Sequence, residues 1–340
     1  MRRYLARRVG QGIFVIWAAF TAAFIILYLL PGDPVEMTLE ANGSHMDADP
    51  AAVAALRAEY GFDRSVPAQY GHALWRALHG DFGRSVPTGS PVTHLIADAL
   101  PQTLALTVVA FTAALVFGGA LAVAATYVQR PAWRQMLLSL PPLGVSIPGF
   151  WLGLLLLQLL SFRLGWLPAT GNEGVRSLIL PAVTLAVPTG AKIAQILAKS
   201  LQATWQQPFI DVARAKGMSR RHIQFRHALR HASLPALTLT GVTVGEMLAG
   251  AVIVETIFSR TGIGRLAQEA VLAKDIPLLE GLVVLSAVTF VLVNLAVDVI
   301  YPLVDPRITR ISAGAGGVPP DLPVFSQGSA EPAVLEGSRE

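Results

Sequence analysis

The chain reads as an all-α membrane protein of six transmembrane helices, and three observations carry that reading. Of its 340 residues 53% are hydrophobic and only 14% are charged, with a mean hydropathy of +0.54, whereas a soluble domain carries about 25% charged residues. The apolar residues fall in long blocks rather than at amphipathic spacing. The positive charge, net +4 with a pI near 9.6, is concentrated in the segments between those blocks, where it sets membrane orientation rather than binding nucleic acid.

A transmembrane helix needs roughly 20 mostly apolar residues. Six segments qualify: 9–30, 101–127, 136–160, 178–198, 235–258 and 281–303. The first follows MRRYLARR, but its apolar run is longer than the ~7–15 residues of a signal-peptide core and no A-x-A-like site ends it. It therefore reads as an uncleaved anchor. Arg2, Arg3, Arg7 and Arg8 place the amino terminus inside. The acidic stretch after the first span suits the outside, and Arg130 and Arg134 suit the inside. The stretch after the fourth span carries Lys199, Arg214, Lys216, Arg220, Arg221, Arg226 and Arg230 against Asp211 alone, and it also falls inside. Six spans with both termini cytoplasmic satisfy every connection.

Residues 31–99 are too long for a plain connection. A run AAVAALRAEYGF after Asp49 and Pro50, and a second run PAQYGHALWRALHG over 67–80, each show helical spacing of apolar residues. Tyr70, Leu74, Trp75 and Leu78 form the apolar face of the second. The pair fits helices lying on the membrane surface and equally a platform for an external partner. Residues 311–340 are rich in Gly, Pro, Ser and Glu without apolar period, and are expected to be disordered.

The third and fourth spans hold helix breakers: Pro141, Pro142, Gly144, Pro148 and Gly149, then Pro181, Pro188 and Gly190. Proline in a span is tolerated where neighbouring helices or a wet cavity satisfy the freed carbonyl, so Pro148 and Pro188 become candidates for a translocation path. Ionisable residues inside spans are functional candidates by default. Lys192 and Glu246 are the clearest, at depths that a lysine stem can bridge, and an internal contact between them is expected. Glu255 and Asp298, near span ends, are expected to anchor helices at the interface.

The segment 211–235, DVARAKGMSRRHIQFRHALRHASLP, is the most specific part of the chain. Pro208 can occupy the first turn of a short helix over 209–216. Gly217 can supply the left-handed residue that ends it, and Ser219 can cap a second, basic helix ending near His231. Phe209, Val212 and Ala213 would share one face, fit to insert into a partner's cleft, while Ala213, Ala215 and Gly217 allow close backbone approach. His222, His227 and His231 lack a carboxylate in register and do not make a metal site. Without room for a folded domain between two spans, the segment is also not a DNA-reading helix-turn-helix.

This segment resembles the EAA loop of the permeases of ATP-binding-cassette importers, in particular the dipeptide/oligopeptide permease family. Asp211, Val212, Ala213 and Gly217 match its first half, with Asp for Glu and Val for Ala; Leu229 matches the second half, where the proline is lacking at 230. LLPGDPV (29–35), YGFDRSVPAQY (60–70), HGDFGRS (79–85), LAGAVIVETIF (248–258), GIGR (262–265) and NLAVD…DPRI (294–308) extend the match along the chain up to residue 310. The resemblance implies a pore-forming subunit in the bacterial inner membrane, divided into a first span with extracytoplasmic insert (1–97), a transmembrane domain with the loop at about 200–234 (98–305) and a cytoplasmic tail (306–340). It implies a homologous second permease subunit, two cytoplasmic ATPase subunits and an external solute-binding protein as partners, with no cofactor, and docking of Phe209 to Met218 into an ATPase cleft. The chain has no G-x-x-x-x-G-K-[ST] to cradle nucleotide phosphates, so ATP hydrolysis is expected on separate subunits. Peptides are the expected cargo; nickel chelates, glutathione or opines use the same scaffold. An ion-driven secondary transporter would show broken helices around a midplane ion site and inverted repeats, for which Lys192 and Glu246 alone are thin support. A membrane hydrolase would need a metal or nucleophile constellation, and none is visible.

Overall fold

The computed structural model describes residues 2–29 and 65–304, and every described element is helical apart from one isolated bridge between Arg84 and Pro91. Among the described residues four helices are long and apolar enough to cross a membrane, and a bent pair makes a possible fifth. The run expected over 51–62 and the tail 311–340 lie outside the described residues, as does the side chain of Asp298.

Helix α1, Arg2–Leu29, is unbroken, as its apolar run requires. It lies along α11, Ile276–Val304, and Gly12 sits in that contact, where a Cβ would be 2.5 Å from Val291 Cγ1. Helix α2, Val66–Leu78, has Pro67 in its first turn and stops before Gly80, whose φ of +75° suits only glycine. Tyr70 docks α2 on α1: its ring meets Phe24 edge-on at 5.3 Å, and its hydroxyl lies 2.8 Å from Thr21 Oγ1. Trp75 and Leu78 remain exposed.

Helix α3, Val92–Tyr127, begins nine residues before the expected start at Pro101 and carries that proline inside. Its 36 residues make about 54 Å at 1.5 Å per residue, more than the ~30 Å of a hydrocarbon core, so one end projects. The third expected span is not one straight crossing. Helix α4, Pro131–Ser146, and helix α5, Gly149–Leu156, the latter continued by a π-turn Leu157–Arg163, are bent by 99°. Proline disfavours helical backbone in the residue before it; Ile147 (ψ 121°) and Pro148 (ψ 130°) are both extended and make the corner.

Helix α6, Arg176–Trp205, is the central post, packed against α3, α4 and α9. Pro181 and Pro188 do not break it, because its neighbours surround it: 67% of its apolar window is buried, against 28% for α3. Then come α7, Pro208–Ala215, a single turn α8, Arg220–His222, a π-turn Ile223–Ala228, and α9, Leu229–Ile257. The basic helix expected to end near His231 instead runs straight on into α9, with Pro235 inside. Helix α10, Ile263–Leu272, precedes α11.

Four apolar clusters hold the described bundle together, and the two largest join its long helices. One, around Leu106, Leu180, Leu185, Met247, Val254 and Phe258, joins α3, α6 and α9 near the Phe258 end. The other, around Ala122, Leu197, Leu201, Ile210, Ile223 and Ala232, joins the same helices to α7 and the π-turn at the Trp205 end.

Glu255 is not an interface anchor. It is fully buried, and its carboxylate accepts from Thr103 Oγ1 at 2.6 Å, Gly264 N–H at 2.7 Å and Arg265 N–H at 3.2 Å. It thereby satisfies the free amides that begin α10 and ties that helix to α3. Arg260, also buried, donates to Gln102 Oε1 at 3.1 Å and to the Gly171 carbonyl at 3.1 Å. A buried charge is retained only when so partnered.

Candidate coupling segment and path residues

Helix α7 forms as its sequence dictates. Pro208 sits in the first turn, where its missing N–H is harmless, and Asp211 lies in that same turn, favourable to the helix dipole. Gly217, at φ +76°, ends it in a Schellman arrangement: Met218 N–H reaches the Ala213 carbonyl at 3.2 Å and Gly217 N–H the Arg214 carbonyl at 2.9 Å. Ser219 then caps the next turn, its hydroxyl accepting from His222 N–H at 3.3 Å.

The face of α7 that meets the bundle differs from the expected one. Ile210 and Ala213 are buried in the cluster at the Trp205 end, joined by Met218 and Leu229. Phe209 and Val212 point away, 38% and 55% exposed. Ala213 is therefore part of the internal seam, and Phe209, Val212 and the exposed Ala215 are the surface on offer. The helical period explains it: Ile210 and Ala213 are three residues apart, as are Phe209 and Val212, on different flanks of the same short helix. Asp211 pairs with Arg214 at 3.2 Å on the surface, a contact of small energetic weight. The Phe209 ring lies 5.3 Å from that of His231. Along α8 and the π-turn a hollow of about 540 Å³ is lined by Ser219, Arg221, His222, Phe225 and Arg226.

The residue that sequence reasoning missed is Gln224. It is fully buried in the π-turn, and both ends of its amide are used: Oε1 accepts from Trp205 Nε1 at 2.6 Å, and Nε2 donates to Thr126 Oγ1 at 3.0 Å. Arg220 adds a bond to the Thr126 carbonyl at 3.2 Å, and its guanidinium lies over the rings of Trp205 and Tyr127, at 5.1 and 5.7 Å. The basic segment is thus fixed to the last turns of both α3 and α6 by side chains, not only through its own chain ends. Short π segments inside α-helices cluster at functional sites. The available signal was a lone glutamine among basic residues, flanked by Ile223 and Phe225; nothing in its spacing named Trp205 or Thr126 as partners.

The four path candidates fall on three elements. Pro148 makes the exposed corner between α4 and α5. Pro188 and Lys192 lie on α6, one turn apart, and Glu246 lies on α9. Lys192 Nζ meets Glu246 Oε2 at 2.6 Å, with 39% and 51% of the two side chains exposed.

Residues 114–310 match the family described as binding-protein-dependent transport system inner membrane component, and residues 1–107 match the N-terminal region of the same kind of protein. The chain is 36% identical over 317 residues to a protein of Brucella suis biovar 1 described as a peptide transport system permease, covering 91% of this chain and 99% of the relative. It is 34% identical over 309 residues to the glutathione transport system permease GsiC of Salmonella typhimurium, with coverage of 91% and 99%. Among solved structures it is similar to the methionine ABC transporter MetNI in an inward-facing form, at a TM-score of 0.48 and 19% identity over 62% of this chain and 96% of that one. At that score the likeness carries no structural argument.

Proposed function

The chain belongs to the family of binding-protein-dependent transport system inner membrane components and is a permease subunit of an ABC importer; from that premise we propose that it forms half of the pore of an ATP-driven importer of di- and oligopeptides in the bacterial inner membrane. Its partners in this reading are a homologous second permease, two cytoplasmic ATPase subunits and an external solute-binding protein. The relatives named for peptides and for glutathione, itself a tripeptide, support the cargo class. Six crossings with both termini inside follow from the distribution of arginine and lysine, and they put the Trp205 end of the bundle in the cytoplasm.

One observation carries the mechanism: α7 presents Phe209 and Val212 outward while Gln224 and Arg220 hold its segment to the ends of α3 and α6. A helix that is rigidly seated yet shows an apolar outer face can be gripped by an ATPase and pass that subunit's displacement to two spans at once. Closure of the ATPases on ATP then draws the inner ends of the spans together and opens the path outward, where the binding protein delivers cargo. Hydrolysis reverses the movement. The path runs past Pro148, Pro188, Lys192 and Glu246.

The test is co-expression with the ATPase, second-permease and binding-protein subunits, purification through a tag on this chain, and reconstitution into vesicles. ATP-dependent uptake of trialanine with loaded binding protein is the expected result. An assembled complex that hydrolyses ATP and moves no peptide would overturn the cargo; failure of any ATPase to co-purify would overturn the coupling.

A further inference from the structure

Helix α6 is two-sided in a manner its overall apolarity hides. At 100° per residue, Gly190, Ala194, Leu197 and Leu201 share one face, and all four are buried. Gly190 on that face is pressed to backbone contact with α3. Pro188, Lys192, Gln195, Lys199 and Ala203 share the opposite face, and each is half-buried or exposed. Helix α9 is built likewise: Met247, Ala251 and Val254, and Phe258 just past its end, are buried, whereas Glu246, Ala249, Ile253 and Thr256 are exposed. The two uncovered faces meet where Lys192 and Glu246 touch, 2.6 Å apart.

A stripe carrying two lysines and a glutamine along a spanning helix does not face lipid, because a charge there is costly; such residues line water-filled space. Lys192 is sixteen residues from the start of α6 and thirteen from its end, about 24 and 20 Å, so the ion pair stands near the middle of that helix. Among the described residues nothing closes in either partner: 39% and 51% of the two side chains stay exposed. An ion pair held half-open at mid-helix is poised for exchange: each charge can leave its partner for an equal charge at little net cost.

Resting on the peptide-importer reading above, we propose that Lys192 and Glu246 form a cargo-exchanged pair that takes the two ends of a zwitterionic peptide, Lys192 the α-carboxylate and Glu246 the α-ammonium. An extended tripeptide spans about 10 Å, a gap that the long lysine stem and the shorter glutamate stem open by swinging apart. Before and after passage the two charges neutralise one another, so the empty path carries no bare charge there. Gln195 and Lys199 continue the stripe toward the Trp205 end, offering the carboxylate its next contacts.

The natural chain has no cysteine, which gives a clean test. Lys192→Cys and Glu246→Cys variants of the whole reconstituted complex are each treated with aminoethyl and with sulfonatoethyl methanethiosulfonate. Trialanine uptake is expected to fall roughly tenfold in each variant, the loss of one charge-assisted contact. It should recover in the Lys192→Cys variant with the cationic reagent only, and in the Glu246→Cys variant with the anionic reagent only. Separately, in Lys192→Gln, uptake of trialanine should fall while that of its C-terminal amide, at concentrations that load the binding protein equally, should not. No labelling at either site, recovery with either reagent alike, or equal loss for the acid and the amide would each overturn the proposal. Wild-type complex that imports trialanine under those outcomes leaves the peptide-importer reading standing; wild-type complex that imports none removes that reading first.

Discussion

Gly118 of α3 and Gly190 of α6 bring two backbones into contact: a Cβ on Gly118 would collide with the Gly190 carbonyl oxygen, and a Cβ on Gly190 would lie 3.0 Å from the Ala114 carbonyl oxygen. Small residues at such crossings let spanning helices approach closely where no hydrophobic drive separates protein from lipid. The contact also fixes the rotation of α6, and so decides that Lys192 faces away from α3. Gly118→Val is expected to cost at least the ~1–3 kcal/mol of an overpacked core and to lower the thermal midpoint of the purified complex. Gly119→Val is the control, since a Cβ there meets nothing within 4 Å. An unchanged midpoint in the first variant would deny the crossing.

Removing the amide of Gln224 should uncouple the transporter. Gln224→Leu leaves Trp205 Nε1 without its acceptor, a penalty of about 1–3 kcal/mol for a buried donor, and cuts the tie between the π-turn and Thr126. The expected signature is ATP hydrolysis that continues while peptide uptake drops severalfold. Gln224→Glu, which keeps the acceptor, should lose less. If hydrolysis and uptake fall in strict proportion, the joint is not a transmitter.

At Gly217 the demand is conformational. Among the described residues a Cβ there would meet nothing within 4 Å beyond its chain neighbours, but φ is +76°. A left-handed residue other than glycine costs about 1–2 kcal/mol, with asparagine the best tolerated. Gly217→Asn is therefore expected to retain most uptake and Gly217→Val to lose it with membrane insertion intact, measured by uptake per inserted complex. Equal loss in both would indicate instead that an ATPase packs against this position.

Glu255 offers a graded pair. Glu255→Gln keeps an acceptor for the α10 amides, whereas Glu255→Ala leaves the Gly264 and Arg265 N–H groups unpaired and Arg260 without its nearby counter-charge. Breaking a buried charge arrangement costs about 3–5 kcal/mol, so the alanine variant should fail to yield folded complex and the glutamine variant should yield it at reduced thermal midpoint. A folded alanine variant of wild-type midpoint would refute the role.

Asp275, buried just before α11, has its carboxyl raised above the usual range by that burial, against the lowering effect of its bonds from Ser85, Leu278 and Val86. A raised folded value means the native state holds the proton more tightly than the unfolded chain. Its contribution is therefore most favourable at acid pH and is lost as pH rises from the unfolded value through the folded one. Asp275→Asn should flatten the dependence of the thermal midpoint on pH in the range above the ordinary aspartate value of about 4. A dependence as steep as wild type would place its origin elsewhere.

Several features were legible from the sequence because they are local. Apolar block length identified α1, α3, α6 and α11, and Pro208, Gly217 and Ser219 marked α7 and the following cap, since first-turn proline, left-handed glycine and hydroxyl capping each depend on a few adjacent residues. Depths differing by no more than a lysine stem can bridge were enough to suggest the contact between Lys192 and Glu246. The run of prolines signalled trouble in the third span, though not a 99° corner. The end expected near His231 does not occur, because the effect of Pro235 just beyond it depends on what surrounds the helix, and α9 continues through it.

The amino-acid order alone determined the class of protein, the positions of most of its crossings and the ends of the short basic helix, because hydropathy and backbone preference act over one or two turns. Tertiary structure decided which flank of α7 is hidden, which partners Gln224 and Glu255 find 98 and 152 residues away in the chain, and which side of α6 stays uncovered. Those choices depend on how neighbouring helices are rotated about their axes. That rotation is set by close approaches such as Gly118 to Gly190, between residues whose separation along the chain carries no sign of their meeting.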